Sequence, residues 1–418
     1  MTLKELMHLA QLRLKAATAF PVKRGHVLEL LAAAARFKTW AAFDSAAFLA
    51  DKGTDGEDLK AHALIVGRAI QLEIPATDAL RVAQALCGLV EELKLSFVER
   101  EKLASVLHRT PPHAREYLDD EDEWSEDDWE GDWKEHRETD EPKRGSGSDP
   151  ATKVQVQRLL TTSPLLLNCL ERAVKLRPND AVAHFALATF YRCDRPSPYL
   201  YEESLKGRKL STIEQGWADN YLRAAPVYEK YFRHLRTATS LGDRMAALEY
   251  AEVVTGRTAY EAVDQMTGHV DAARMAAIAP DETHRMKWFR VAADEGSIDA
   301  LSVLARRGDV DALKQLAALG DLDAIRTLAI DAVDQNQSTD AWQWQHLALL
   351  HGEDLTVSTM RAYHDGGQRD GQFYNSDFGG ALYAEGDEGL DLPQISKVEL
   401  AEAKKRARDI FDSAEARR

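Results

Sequence analysis

Three copies of one short pattern recur at an interval of twelve residues: Gly296-Ser297-Ile298-Asp299-Ala300-Leu301, Gly308-Asp309-Val310-Asp311-Ala312-Leu313 and Gly320-Asp321-Leu322-Asp323-Ala324-Ile325. Each copy carries its own start and stop chemistry. Ser297, Asp309 or Asp321 is placed to cap the free N–H groups of a helix's first turn. The next glycine is placed to take the left-handed conformation past the helix end. The helix between is then about eight or nine residues, roughly 13 Å at the standard rise. Helices this short do not hold alone, because nucleation is costly. The surfaces that lean on one another are visible as ladders: Ala300, Ala312, Ala324; Leu301, Leu313, Ile325; Leu304, Leu316, Leu328; Ala305, Ala317, Ala329. Stacking of antiparallel pairs would bury these ladders as one core, so the pattern predicts an α-solenoid of short repeats.

The same grammar of caps and 3.6-residue stripes extends over the rest of the chain and makes the expected fold class all-α. Residues 1–115 read as an N-terminal helical bundle. Thr2 with Glu5, and Ser96 with Glu99, form capping-box patterns, and Leu3, Leu6, Met7, Ala10, Leu14 and Ala17 make one apolar stripe. Further helices are expected at about 24–36, 39–51, 55–72, 76–95 and 97–109. Nothing alternates at period two, so no strand is expected.

Residues 116–150 read as an acidic linker. Between 116 and 142 stand 15 acidic residues against Lys134 and Arg137, so this one segment holds most of the formal net charge of −16. Trp124, Trp129 and Trp133 lie within it. Either they are indoles of a disordered spacer that touch nearby helices, or they belong to an acidic–aromatic segment that docks on a basic partner or on the protein's own basic surface.

Residues 151–340 carry the repeats. Leu170 to Leu176, then Arg177-Pro178-Asn179-Asp180, then Ala183, Leu187, Ala188 and Tyr191 resemble the junction of two tetratricopeptide repeats. Pro178 would stop one helix, and Asn179 or Asp180 would cap the next. Arg195-Pro196-Ser197-Pro198 then interrupts the pattern. Trp288-Phe289, Ala292-Ala293, Gly296 and Ala300 resemble a Sel-one-like repeat, although that family's period is nearer 36. The resemblances imply a stacked helical array with an extended binding surface. Another Gly242-Asp243 start precedes Met245, and Tyr221, Tyr228, Tyr231 and Phe232 are read as core of helices around 213–240.

Near the N-terminus, Leu28-Glu29, Ala32, Phe37, Trp40 and Phe43 resemble a short helical module of assorted bacterial proteins, glyoxalase-related ones included. Arg36 stands where that module has glycine. This region also holds Lys4, Arg13, Lys15, Lys23, Arg24, Arg36 and Lys38 against Glu5 and Glu29, a patch that could meet phosphates.

Residues 341–418 read as a C-terminal helical extension, with a Gly- and Asp-rich loop at 365–391 and a basic helix at 396–415. His346, His351, Asp354, His364, Asp365, Asp377 and Asp387 are the residues here that could carry metal chemistry. His346 and His351 are five apart, however, about 140° around a helix, so one face does not present both. Asp377-Phe378-Gly379 echoes a kinase magnesium motif without the Gly-rich and catalytic loops that go with it. No P-loop, dinucleotide fingerprint or nucleophile elbow occurs.

Cys87, Cys169 and Cys193 are odd in number and form no CxxC pair, which suits a reducing compartment. The charged N-terminus lacks a signal-peptide core. The reading is therefore a cytoplasmic, unanchored protein with no cofactor and no membrane partner, acting as an adaptor that binds another protein or peptide rather than as an enzyme. The expected contacts are Asp299, Arg306, Arg307, Asp311, Lys314, Asp323 and Arg326, with Trp124, Trp129 and Trp133. The competing expectation is a nucleic-acid-associated regulator acting through the basic N-terminus.

Overall fold

The computed structural model describes every residue except 19, 54–58, 60, 110–155, 157, 161, 367–368, 375–378 and 417–418. The acidic segment and its tryptophans Trp124, Trp129 and Trp133 lie outside the described residues. The structure is 68% helical with 5% strand, and the fold is all-α.

Helix α1 (Leu3–Ala17) starts where the sequence places it. Thr2 Oγ1 accepts from the Glu5 N–H, and the Glu5 carboxylate accepts from the Thr2 N–H at 2.7 Å. Its stripe of Leu3, Leu6, Met7, Ala10 and Leu14 is buried. Helix α2 (Arg24–Ala34) ends with Arg36 at φ 66° and the Phe37 N–H bonded back to Ala32 O at 2.8 Å. That is the left-handed stop glycine normally serves, and here Arg36 holds it. Glu29 Oε1 then accepts from the Trp40 N–H at 3.2 Å, tying α2 to the start of α3 (Trp40–Ala46).

Two strands correct the expectation of none. Strand β1 (Ala47–Ala50) pairs antiparallel with β2 (Ser96–Glu99), in register from Ala47 opposite Glu99 to Ala50 opposite Ser96. All four β1 residues are buried, so no alternation marks the strand in sequence. Ser96 is accordingly not a helix cap. Between the strands lie α4 (His62–Gln71) and α5 (Ala76–Glu92), and α6 (Arg100–Arg109) follows β2 directly.

Helix α7 (Pro164–Leu176) opens with Pro164 in its first turn, where the missing N–H costs nothing. Its cap, Ser163, is fully buried. Ser163 Oγ donates to Asp51 Oδ1 at 2.5 Å and accepts from the Asp51 N–H at 3.0 Å and the Leu166 N–H at 3.1 Å. Asp51 Oδ1 also accepts from the Leu165 N–H, and Leu165 belongs to the apolar cluster built by the N-terminal helices. Helix α8 (Ala181–Tyr191), capped by Asp180, packs on α6. The described residues up to Pro280 therefore form one compact unit. The expected break between 115 and 151 is not where the contacts part, because buried polar and apolar groups from both sides complete each other.

This first unit continues through α9 (Tyr199–Leu205), the long α10 (Thr212–Ser240), α11 (Arg244–Val254), α12 (Arg257–Gln265) and α13 (Ala272–Ala277). Helix α10 packs on α8, α9 and α11. Tyr231 is buried in it, and Tyr228 and Phe232 pack beside it.

The second unit begins at Asp281. It comprises α14 (Glu282–Asp294), α15 (Ile298–Arg306), α16 (Val310–Leu319), α17 (Leu322–Asp334) and α18 (Ser338–Leu350), each packed on the next. The three repeat caps form as read: Ser297 Oγ accepts from Ala300 N–H at 3.3 Å, Asp309 from Ala312 at 3.1 Å and Asp321 from Ala324 at 2.9 Å. Gly308 and Gly320 stop α15 and α16 at φ 87° and 94°. Helix α17 runs 13 residues rather than eight or nine, since no glycine stands at the next stop and Asn336 takes the left-handed position at φ 58°. The ladders are buried except at Leu313 and Ala305, which are half-buried.

After α18, strands β3 (Arg361–His364) and β4 (Leu382–Glu385) form an antiparallel hairpin inside the stretch expected to be loop, with the rings of Tyr363 and Tyr383 stacked 5.5 Å apart. The final helix α19 (Lys397–Glu415) packs on α18 and α16 through Ala403 and Ala407.

Candidate functional site

The cap–alanine pattern of the repeats decides which of their residues face out. The N-cap holds the backbone, and the alanine at the third helical position enters the core, leaving the first two positions outside. These are Ile298-Asp299, Val310-Asp311 and Leu322-Asp323. Ile298, Val310 and Leu322 are 52%, 51% and 37% exposed, and all three aspartates are exposed. A carboxylate in a first turn is favoured by the helix dipole, so local stability accounts for the aspartates. It does not account for three aliphatic side chains in water at the same register. Sequence reading singled out the acids and missed their apolar neighbours, although both sit in the repeat.

Arg306 and Lys314 are exposed. Arg307 lies 3.1 Å from Glu282 as a surface ion pair. Arg326 is a correction: its side chain is only 12% exposed, held by Asp387 at 3.2 Å and donating to the Glu388 carbonyl at 3.0 Å. It braces the segment after β4 instead of facing a partner. Residues 281–418 contain 26 acidic and 16 basic side chains, so this surface sits in an acidic unit.

The His/Asp candidates disperse into separate roles. Asp354 accepts from Thr356 Oγ1 at 2.7 Å, Thr356 N–H at 3.0 Å and Gln345 Nε2 at 2.7 Å; those bonds, the Thr356 hydroxyl first, hold its carboxyl below the usual range. It closes the turn after α18. Burial, then the Lys404 charge, lowers the His346 imidazole. The ring of His351 packs on Phe411, and that of His364 on Tyr374. Asp387 holds Arg326. Asp377 and Phe378 lie outside the described residues. Among the described residues no three His, Cys, Asp or Glu side chains form a group that could hold a metal.

Of the basic N-terminal residues, Lys4, Lys15, Lys23, Arg24, Arg36 and Lys38 are exposed, and Arg13 pairs with Glu92 at 2.6 Å. Cys87, Cys169 and Cys193 form no disulfide, and burial pushes the Cys169 thiol up to about 12. Among the described residues no helix is long and apolar enough to cross a membrane.

Sequence reasoning also missed a buried polar network in the first unit. Glu249 takes Arg192 bidentately at 2.8 and 2.6 Å and accepts from Tyr231 Oη at 2.9 Å; burial, then the Glu249 charge, raises the Tyr231 phenol. Beside it His184 Nδ1 lies 2.9 Å from His234 Nδ1, and His184 Nε2 lies 3.1 Å from Pro178 O. A carbonyl only accepts, so His184 carries its proton on Nε2 and takes the His234 Nδ1 proton as a hydrogen bond. Burial, and then the repulsion that His184 and His234 would exert on each other if both were charged, lowers His234 to about 4. The one available signal was Glu249 standing among the apolar Met245, Ala246, Leu248 and Ala251. These contacts hold the unit together and present no reactive group.

Compared with protein-family models, with curated proteins and with solved structures, the chain matches none. Its class is all-α, and its functional reading rests on its own geometry.

Proposed function

We propose that the protein is a non-catalytic adaptor of the cytoplasm, whose second unit stacks as a solenoid of the tetratricopeptide or Sel-one-like kind and binds a basic, amphipathic segment of another protein. The observation that carries this reading is the exposed apolar–acid pair repeated at Ile298-Asp299, Val310-Asp311 and Leu322-Asp323. Exposed aliphatic groups gain free energy when covered, about 25 cal/mol per Å² of apolar surface removed from water. The adjacent carboxylates select a cationic partner and disfavour an acidic one. Three cysteines that form no disulfide accord with a reducing compartment.

The test is selection from a random peptide library on the full chain, followed by calorimetry of the enriched peptides. Enrichment of Lys/Arg-rich peptides with apolar residues at helical spacing is expected. Binding should weaken at least tenfold in a Val310→Glu, Asp311→Lys variant and fall with added salt. Enrichment of acidic peptides, affinity unchanged in the variant, or retention of nucleic acid in place of peptide would each overturn the reading.

A further inference from the structure

In the first unit, a cavity of about 540 Å³ is lined by Ser45, Arg100, Arg177, Pro178, Asn179 and Asp180. Its two arginines come from segments far apart in sequence, the start of α6 and the turn between α7 and α8, and each leaves part of its guanidinium without a hydrogen bond. Arg100 donates through Nη1 to Asp180 Oδ2 at 2.5 Å, and its guanidinium lies 4.8 Å over the Phe48 ring. Its Nε and Nη2 are buried and have no hydrogen-bond partner. Those two atoms form the side-on edge that takes an oxyanion bidentately. Arg177 donates through Nη2 to the Asp44 carbonyl at 2.8 Å and has Nη1 3.9 Å from Asp44 Oδ2; its Nε, 3.8 Å from Asp180 Oδ2, is a third buried donor that makes no hydrogen bond.

A buried donor with no acceptor is costly, so three such donors beside one cavity favour a ligand that brings acceptors. The carboxylates nearby are already engaged. Asp180 Oδ1 caps α8 through the Ala183 N–H, its Oδ2 takes Arg100, and Asp44 Oδ1 takes Arg172 at 2.6 Å. With three guanidinium groups against two carboxylates, the cluster keeps one net positive charge. A planar carboxylate offers two oxygens, whereas a tetrahedral oxyanion offers the third acceptor that the Arg177 Nε lacks.

We infer that this cleft binds the phosphoryl group of a small phosphorylated molecule, with Arg100 as the bidentate contact and Arg177 as the second. The cavity is of the size that small-molecule sites have, well above what bare phosphate fills.

The experiment uses the full chain, titrated with inorganic phosphate and with ribose 5-phosphate, with acetate and chloride at matched ionic strength as controls. It is read by calorimetry and by the thermal unfolding midpoint. Saturable binding of both phosphates is expected, tighter for the sugar phosphate and absent for acetate. It should be at least tenfold weaker in Arg100→Lys, which keeps the charge and loses the fork, and in Arg177→Gln at the more exposed position; circular dichroism checks that each variant folds. A midpoint that follows ionic strength alike for phosphate and chloride would overturn the inference, as would acetate binding as tightly or affinity unchanged in Arg177→Gln.

Discussion

The two units are held by different chemistry. In the first, buried polar groups from distant parts of the chain complete one another: Asp51 with Ser163, Arg192 and Tyr231 with Glu249, His184 with His234. In the second, each short helix carries its own cap and rests on a ladder of alanine and leucine. Outside the acidic segment 116–142 the charge is uneven too, with 26 acidic against 16 basic residues in 281–418, while 1–115 and 143–280 together are net basic. A structure tied by long-range polar contacts fails at single points. One assembled from local increments loses stability in small and similar steps.

The largest expected effect tests the first half of that contrast. Glu249→Ala leaves the half-buried Arg192 guanidinium and the buried Tyr231 hydroxyl without their partner and should cost about 3 kcal/mol in urea unfolding. Replacing both Arg192 and Glu249 with leucine should recover much of that loss, because the uncompensated charge goes with its partner. A loss below about 1 kcal/mol for Glu249→Ala would show that the network is not what ties the unit.

Acid should act on the first unit next. An unfolded His234 charges near its ordinary value of 6.5, whereas the folded one does so only at about 4. Between those values the unfolded chain binds more protons, so stability falls as pH drops through the window and is flat above it. The contribution is on the order of 1–2 kcal/mol once solvent screening is allowed for. His234→Gln should flatten the profile between pH 4 and 6.5, and a slope unchanged in that variant would assign the effect elsewhere.

In the second unit, Ser297→Ala, Asp309→Ala and Asp321→Ala should each cost about 1 kcal/mol, the ordinary worth of a cap. Similar losses at all three sites are the signature of local increments. One cap several times more costly than the others would contradict it. The smallest effect is a gain. Arg36→Gly removes a side chain from a left-handed stop and should stabilise by about 0.5–1 kcal/mol, read as a raised thermal midpoint.

What was legible in the sequence was what neighbouring residues decide among themselves. The caps at Thr2, Ser297, Asp309 and Asp321, the stops at Gly308 and Gly320, and the buried ladders all follow from spacing within one helix. What was not legible depended on residues far apart. Strand β1 is short and buried on every side, so it has no period to read, and its partner lies 46 residues on, at Ser96–Glu99. The union of the chain before 110 with the chain after 155 rests on meetings such as Asp51 with Ser163 and Arg100 with Asp180, pairings no local pattern encodes. Arg326 looked like a surface cation because the residues that take it, Asp387 and Glu388, lie in another segment. The repeats' acids were found from their register. The aliphatic residues beside them were not, because exposure is decided by packing.

The coincidence of cap, helix and left-handed stop within one twelve-residue period has a genetic consequence. The boundaries of the repeat along the chain are also those of a finished helix in space, so an in-frame duplication of 309–320 would insert a helix with both ends already closed. Few protein segments can be copied so cleanly, and this one gives evolution a way to change the unit's length without first inventing a junction.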